Sequence, residues 1–409
     1  MLYKALKDKE KDFLCSTIET KEQLVDLIQS HKSYCPPHRE IIVHGQRITN
    51  DDSLNRKHYI IYRGIRESKF HLNTSLQFRW KEIKHFHPSF SQKKYLVKMV
   101  ELLEKNSMIK EYLNKGGKSY TDISILALMQ HYGLPTPLLD WTPSIETGLN
   151  FAFDWIALDG ETDKISNYAS LYYINLFENH ELEAASYQNI LVDAEVRISD
   201  ALRHFNPNSL DRVDLSGASL KSLFSVKDLD IDFIYIDYSK DAPYVQDIFG
   251  NVLSLINPNL EKQEGAFIIN FHSRANLDFY WNKKNSTKGT RVISETESFN
   301  DKLGVTIKTS LSENPNAIGI IPQTRICCAN IKKSVLVDWV NNGGKNEHYD
   351  NSEESRRLKV STLETYYSWL LSRKKDYSYF RSQFVKKGES EDQKIAKSFL
   401  ERYISSHSR

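Results

Sequence analysis

Three short stretches of this 409-residue chain carry residue types that could do chemistry. The longest is HYGLPTPLLDWTPSIETGLNFAF, from His131 to Phe153, which places His131, Asp140, Thr142 and Ser144 within 14 positions among three prolines. Pro135 and Pro137 fix φ and bias Leu134 and Thr136 towards extended backbone, so the chain turns stiffly where the polar groups sit. A rigid frame of this kind can hold reacting groups in place. Each residue also has a local use: His131 can cap the end of a helix, and Asp140, Thr142 or Ser144 can cap the start of the next. The second stretch is YRGI, where Arg63 precedes Gly64 at the end of an apolar strand. A guanidinium beside a glycine can hold a diphosphate or carboxylate in bidentate fashion, or pair with a carboxylate at the sheet end. The third is EKQEGAF, where Gln263 and Glu264 precede Gly265 and another apolar strand. These side chains can bond a sugar hydroxyl in a cleft or lie solvated on a turn.

The elements that must position these residues read as follows. Thr20 caps a helix, KEQLVDLIQSH, with Leu24, Leu27 and Ile28 on one face. A strand runs over Glu40 to Val43 and another over Tyr59 to Ile65. Ser91 starts an amphipathic helix that continues to Gly116-Gly117. TDISILALMQHYG is a more buried helix, with Gly133 at a left-handed C-terminal cap. Strands follow at Ala169 to Leu176, in DIDFIYIDY and at Ala266 to Phe271, and RICCANIKKSVLVDWVNNGG gives strand, helix and a glycine stop. Beyond about residue 346 the chain turns to charged helices. The pattern is α+β, a mixed sheet with packed helices. We divide it into an N-terminal lead-in (1–50), a ligand-binding or catalytic domain (51–345) with an insertion at about 178–250, and a charged helical C-terminal segment (346–409). No glycine-rich phosphate loop is present.

Charge is nearly balanced, 55 Lys and Arg against 53 Asp and Glu, which leaves no global footprint for nucleic acid or anionic membrane. Basic residues interleaved with aromatics in LLSRKKDYSYFRSQFVKK would suit nucleic-acid contacts, and equally an amphipathic helix with a solvated face. No apolar run approaches a membrane span, and the N-terminus lacks the apolar core of a secretory signal. Four cysteines, at 15, 35, 327 and 328, show no zinc spacing; buried thiols without disulfides, no metal and a cytoplasmic location are the expectations.

Taken together, Tyr62-Arg63-Gly64, LNTSLQFR, ALMQHYGLPTPLLDWT with its GLNFAF tail, and KQEGAF resemble the FRG domain family, over roughly Tyr59 to Gly344. The chain has Pro137 where the family usually has Arg, and Glu264 where it usually has a second glutamine. By analogy, the order of a strand ending in Arg, a hydroxyl-bearing turn into a helix and a late Gln or Glu is similar to the layout of ADP-ribosyltransferases. That likeness implies NAD as a substrate. Arg63, Gly64, Arg79, Thr142 and Ser144 would then contact NAD, and Arg63, Gln263, Glu264, His131 and Asp140 would serve catalysis. A protein or nucleic-acid acceptor, an antitoxin or other regulatory partner, and a toxin or antiviral role belong to the same expectation. The alternatives are a nucleotide- or nucleic-acid-binding module without turnover, and hydrolysis by the His131 and Asp140 pair.

Overall fold

In a computed structural model the described residues are 2–33, 38–43, 46–47, 60–114, 122–154, 164–175, 233–237, 245–246, 252–253, 266–270, 277, 296–300, 305–310, 326–344, 352–372 and 398. Along the chain, helix α1 (Leu6–Lys9) leads into strand β1 (Leu14–Ile18), helix α2 (Lys21–Lys32) and strands β2 (His38–Val43), β3 (Gln46–Arg47) and β4 (Ile60–Ile65). Four helices follow, α3 (Ser75–Phe86), α4 (Gln92–Glu104), α5 (Ser107–Asn114) and α6 (Asp122–His131). Next come β5 (Leu138–Trp141), α7 (Ile145–Phe153) and β6 (Tyr168–Asn175). Later strands are β7 (Phe233–Asp237), β8 (Val245–Gln246), β9 (Val252–Leu253), β10 (Ala266–Asn270), β11 (Thr296–Asn300), β12 (Val305–Ser310) and β13 (Cys327–Lys332). Helices α8 (Lys333–Trp339) and α9 (Glu353–Leu371) close the described chain.

The protein is α+β. Its central sheet is mixed, in the order β1-β13-β6-β4, with β1 parallel to β13 and the other pairs antiparallel. A second sheet, β5-β10-β7, is antiparallel, and a third runs β11-β12-β2-β3. Tyr62 and Thr142 join the first two: Tyr62 N donates to Thr142 O at 2.7 Å, and Thr142 N donates back to Tyr62 O at 2.9 Å. No helix among the described residues is long and apolar enough to cross a membrane.

Strand alternation sorts β4 into two faces. Ile60 and Tyr62 join the core under α2, α7 and α8, whereas Ile61 and Ile65 join a second core with Tyr172, Trp141 and Cys328. Helix α7 lies almost backbone to backbone on β4. A Cβ on Gly64 would collide with the Gly148 carbonyl oxygen and the Ala152 nitrogen, and would sit 2.9 Å from the Phe151 carbonyl carbon. Gly64 is thus required by helix packing.

The helix expected to run unbroken from Ser91 to Gly116 is two helices. Asn106 interrupts it: its side-chain oxygen accepts from Ile109 N at 3.4 Å, while its amide donates to Ser361 and Thr365 of α9. Asn competes with the helical backbone for hydrogen bonds, and here tertiary partners secure the break. Helix α9 packs into the same core as α3, α4, α5 and α6 through Leu358, Leu363, Tyr366, Tyr367 and Trp369. His87 stacks flat on Trp369 with centroids 4.0 Å apart, and its Nε2 reaches Trp369 O at 3.0 Å. The N-terminal lead-in likewise supplies β1 to the central sheet and α2 to one of its faces. Most of the 178–250 insertion, the basic run after Ser372 and Cys35 lie outside the described residues.

Helix α2 begins with a capping box between Thr20 and Gln23 and buries Leu24, with Leu27 and Ile28 against the core. Near its end His31 is buried, with Nδ1 3.2 Å from the Tyr62 hydroxyl. Burial lowers the His31 pKa to about 4 from 6.5. The unfolded imidazole therefore protonates first as pH falls. The stability that neutral His31 confers is present in full above about pH 6.5 and is lost as pH drops towards 4. Thermal melts should show a decline through that window, on the order of 3 kcal/mol, and His31→Phe should flatten it while lowering the melting temperature at pH 7.

Candidate functional site

The site is built where the end of β4 meets β5 and the C-terminus of α6. Arg63 lies on the β4 face away from α7, in register with Tyr172 of β6. Its Nη1 donates to the Asp140 carbonyl oxygen at 2.6 Å and stands 3.6 Å from Asp140 Oδ2. Its Nε is buried without an acceptor among the described residues, and so is Nε1 of the fully buried Trp141 on β5. Burial lowers the Arg63 pKa, and the Asp140 carboxylate opposes that shift. The Arg63 side chain is 19% exposed and that of Asp140 41%, so the pair opens to solvent on the carboxylate side.

Asp140 is itself held. Gln130 Nε2 donates to Asp140 Oδ2 at 2.8 Å. Gln130 Oε1 accepts from the Thr136 hydroxyl and lies 3.5 Å from Ser75 Oγ, which in turn accepts from Thr136 N at 2.9 Å. These partners fix which way the Gln130 amide faces, with its nitrogen towards the carboxylate. A chain of polar contacts thus runs from the start of α3, through α6, to the carboxylate beside Arg63.

The proline corner supplies the frame. Gly133 adopts φ +77°, Leu134 N donates to Met129 O at 2.9 Å, and Gly133 N donates to Gln130 O at 3.1 Å, which is a complete Schellman cap on α6. Beyond it, three carbonyls are claimed by three elements: Pro135 O by the Tyr95 hydroxyl at 3.0 Å, Thr136 O by Leu76 N at 3.0 Å and Pro137 O by Asn270 N at 2.8 Å. The corner leads into β5, which pairs with β10 so that Asp140 faces Phe267 and Trp141 faces Ala266.

Of the residues expected at the site, the structure brings Arg63 and Asp140 together. His131 is the last residue of α6, its ring edge-on to Tyr132 at 4.8 Å; Gln130, one position earlier, is the residue that reaches Asp140. Thr142 is buried, and its Oγ1 accepts from Ser144 N at 3.1 Å. Ser144 caps α7 by accepting from Thr147 N at 3.2 Å. Ser144→Ala should therefore cost about 1 kcal/mol of stability, read from denaturant melts, through the lost cap. Arg79 is directed to the helical core. It bonds Glu82 at 3.3 Å, the Gly133 carbonyl and the Tyr367 hydroxyl at 3.5 Å each, and lies 5.6 Å from the Tyr366 ring centroid. The neighbouring charges and Tyr367 raise its pKa well above the usual value, against the opposing effect of burial. Gly64 is covered by α7. Gln263 and Glu264 lie outside the described residues; Ala266, next but one after Glu264, is the residue opposite Trp141.

Gln130, Thr136 and Ser75 were not singled out from the sequence. The signal for Gln130 was a lone amide closing an otherwise apolar helix. For Ser75 it was the T-x-x-Q capping box, Thr74 to Gln77, that starts α3.

Fold and site together define an α+β protein with a buried arginine and a solvent-facing carboxylate locked across two sheets. Residues 58–159 match the family model of the FRG domain, so the chain carries an FRG domain, and that span includes Arg63, Ser75, Gln130, Thr136 and Asp140. No curated protein and no solved structure matches the chain.

Proposed function

We propose that this FRG domain is an NAD-dependent ADP-ribosyltransferase, in which Arg63 anchors the diphosphate and Asp140 faces the reacting ribose. The observation that carries this reading is the Arg63–Asp140 pair: a mostly buried guanidinium with an unmet Nε, next to a carboxylate that is 41% exposed and fixed by Gln130. A buried donor without an acceptor is costly and calls for a partner, which a phosphate oxygen can provide. Breaking the nicotinamide–ribose bond sends its electron pair to nicotinamide and builds positive charge on the ribose. A preorganised carboxylate stabilises that charge better than water does. The acceptor nucleophile then bonds the anomeric carbon and gives up its proton, to Asp140 or to solvent. The acceptor is a protein or nucleic acid, consistent with an effector acting on macromolecules.

Incubating the protein with NAD labelled in the adenylate, with and without cell lysate or nucleic acid, tests the reading. Release of nicotinamide and transfer of label are expected. NAD binding without nicotinamide release under any of these conditions would make the domain a nucleotide-binding module instead.

A further inference from the structure

Away from this site, the central sheet buries a cluster of groups rarely placed in a core. Lys9 is fully buried, its Nζ bonded to Ser170 Oγ at 2.5 Å and Asn330 Oδ1 at 3.2 Å and 4.5 Å from the Tyr172 ring centroid. No carboxylate among the described residues pairs with it, and a buried ammonium without a counter-ion is costly. Two thiols lie in the same core. Cys15 of β1 and Cys328 of β13 are register partners on adjacent parallel strands, so their side chains leave the sheet on one face. Neighbouring strands run about 4.7–4.9 Å apart, within the roughly 4.4–6.8 Å that a disulfide asks of its Cα atoms. Cys328 is fully buried and Cys15 half-buried, which leaves one approach from solvent.

We infer that Cys15 and Cys328 are a reactive dithiol, activated by Lys9, that a peroxide converts to a disulfide tying β1 to β13. Supporting this, burial alone would push the Cys328 thiol up, but its hydrogen bond with Cys15 and the Lys9 charge bring it down to about 7, while Cys15 is pushed up. When the pair loses a proton, the resulting thiolate supplies the anion that Lys9 lacks. The thiolate sulfur attacks one peroxide oxygen, the O–O bond breaks and water leaves after protonation, giving a sulfenic acid. The second thiol, losing its proton, attacks that sulfur and expels a second water. Two thiols and one peroxide give one disulfide and two waters. Cys327, adjacent in sequence, faces the opposite core and is the internal control.

The test treats the folded full-length protein with hydrogen peroxide, quenches, denatures, alkylates the remaining thiols and maps peptides by mass spectrometry. The expected result is a Cys15–Cys328 cross-link reversed by dithiothreitol, with Cys327 alkylated. Cys15→Ser should stop at a sulfenic acid on Cys328, trapped by dimedone, and Lys9→Met should slow thiol loss on the order of tenfold. Cys15 and Cys328 both remaining alkylatable at peroxide levels that oxidise free glutathione, or a cross-link to Cys35 or Cys327, overturns the inference. A Lys9→Met protein that folds and reacts at the wild-type rate overturns the role of Lys9.

Discussion

Arg63→Ala should lower the rate of nicotinamide release from NAD by about 10²–10³-fold, the usual cost of removing one preorganised electrostatic group. Arg63→Lys should recover little of it. An ammonium can satisfy the Asp140 carbonyl, but it lacks the planar fork that can bond a backbone oxygen with Nη1 while offering Nε to a second anion. Both variants should fold. Losing the 2.6 Å bond to Asp140 O leaves that carbonyl short of a donor, at about 1–3 kcal/mol, which a melting curve will show separately from the kinetic effect. Steady-state release of nicotinamide, on protein whose circular dichroism matches wild type, is the measurement. Gln130 holds Asp140 and Thr136 holds Gln130, all within ALMQHYGLPTPLLDWT, so the site joins that one stretch to Arg63 on a distant strand.

The second large effect is structural. Gly64→Ala should abolish soluble folded protein or cut stability by about 3 kcal/mol or more, the upper range for overpacking a rigid site. The atoms a new Cβ would strike belong to the backbone of α7, at Gly148, Phe151 and Ala152, so no rotamer change relieves the clash. Gly148→Ala should be milder. Its Cβ meets Tyr62 Cβ at 2.8 Å and Leu171 Cδ1 at 2.9 Å, and the Leu171 end can swing aside. Thermal melts of the two variants, compared with wild type, check both magnitudes and their order.

The glycines also show what the sequence could tell. The Gly133 cap was legible, because the demand for positive φ is set by the helix end itself. The capping of α2 by Thr20 and the strand-then-helix reading of Cys327 to Trp339 were legible for the same local reason. Arg63 and Asp140 were legible as chemistry-bearing types, though not as partners, since 77 positions separate them. Gly64 read as an NAD contact beside Arg63, but the group that approaches it is a helix that begins at Ile145, and nothing near Gly64 says so. Gln130 was passed over in favour of His131. An imidazole looks more reactive than an amide, and only the fold of the proline corner reveals which of the two reaches Asp140. Helix α9 read as a charged tail because five of its six Glu, Arg and Lys residues crowd its first two turns, between Glu353 and Lys359. Its buried stripe, Leu358 to Leu371, becomes visible as core only against α3 to α6. Lys9 in a run of lysines gave no hint of burial, which comes from the sheet closing over it.

Calorimetric titration of the wild type and of Arg63→Ala with ADP-ribose, which carries the diphosphate and ribose but no cleavable nicotinamide, probes the Arg63–Asp140 site without requiring turnover. Saturable binding by wild type, weakened about a hundredfold (roughly 2.7 kcal/mol) in the variant, is the predicted result. Equal binding by the two proteins, or none by wild type, would show that Arg63 only fastens β4 to β5.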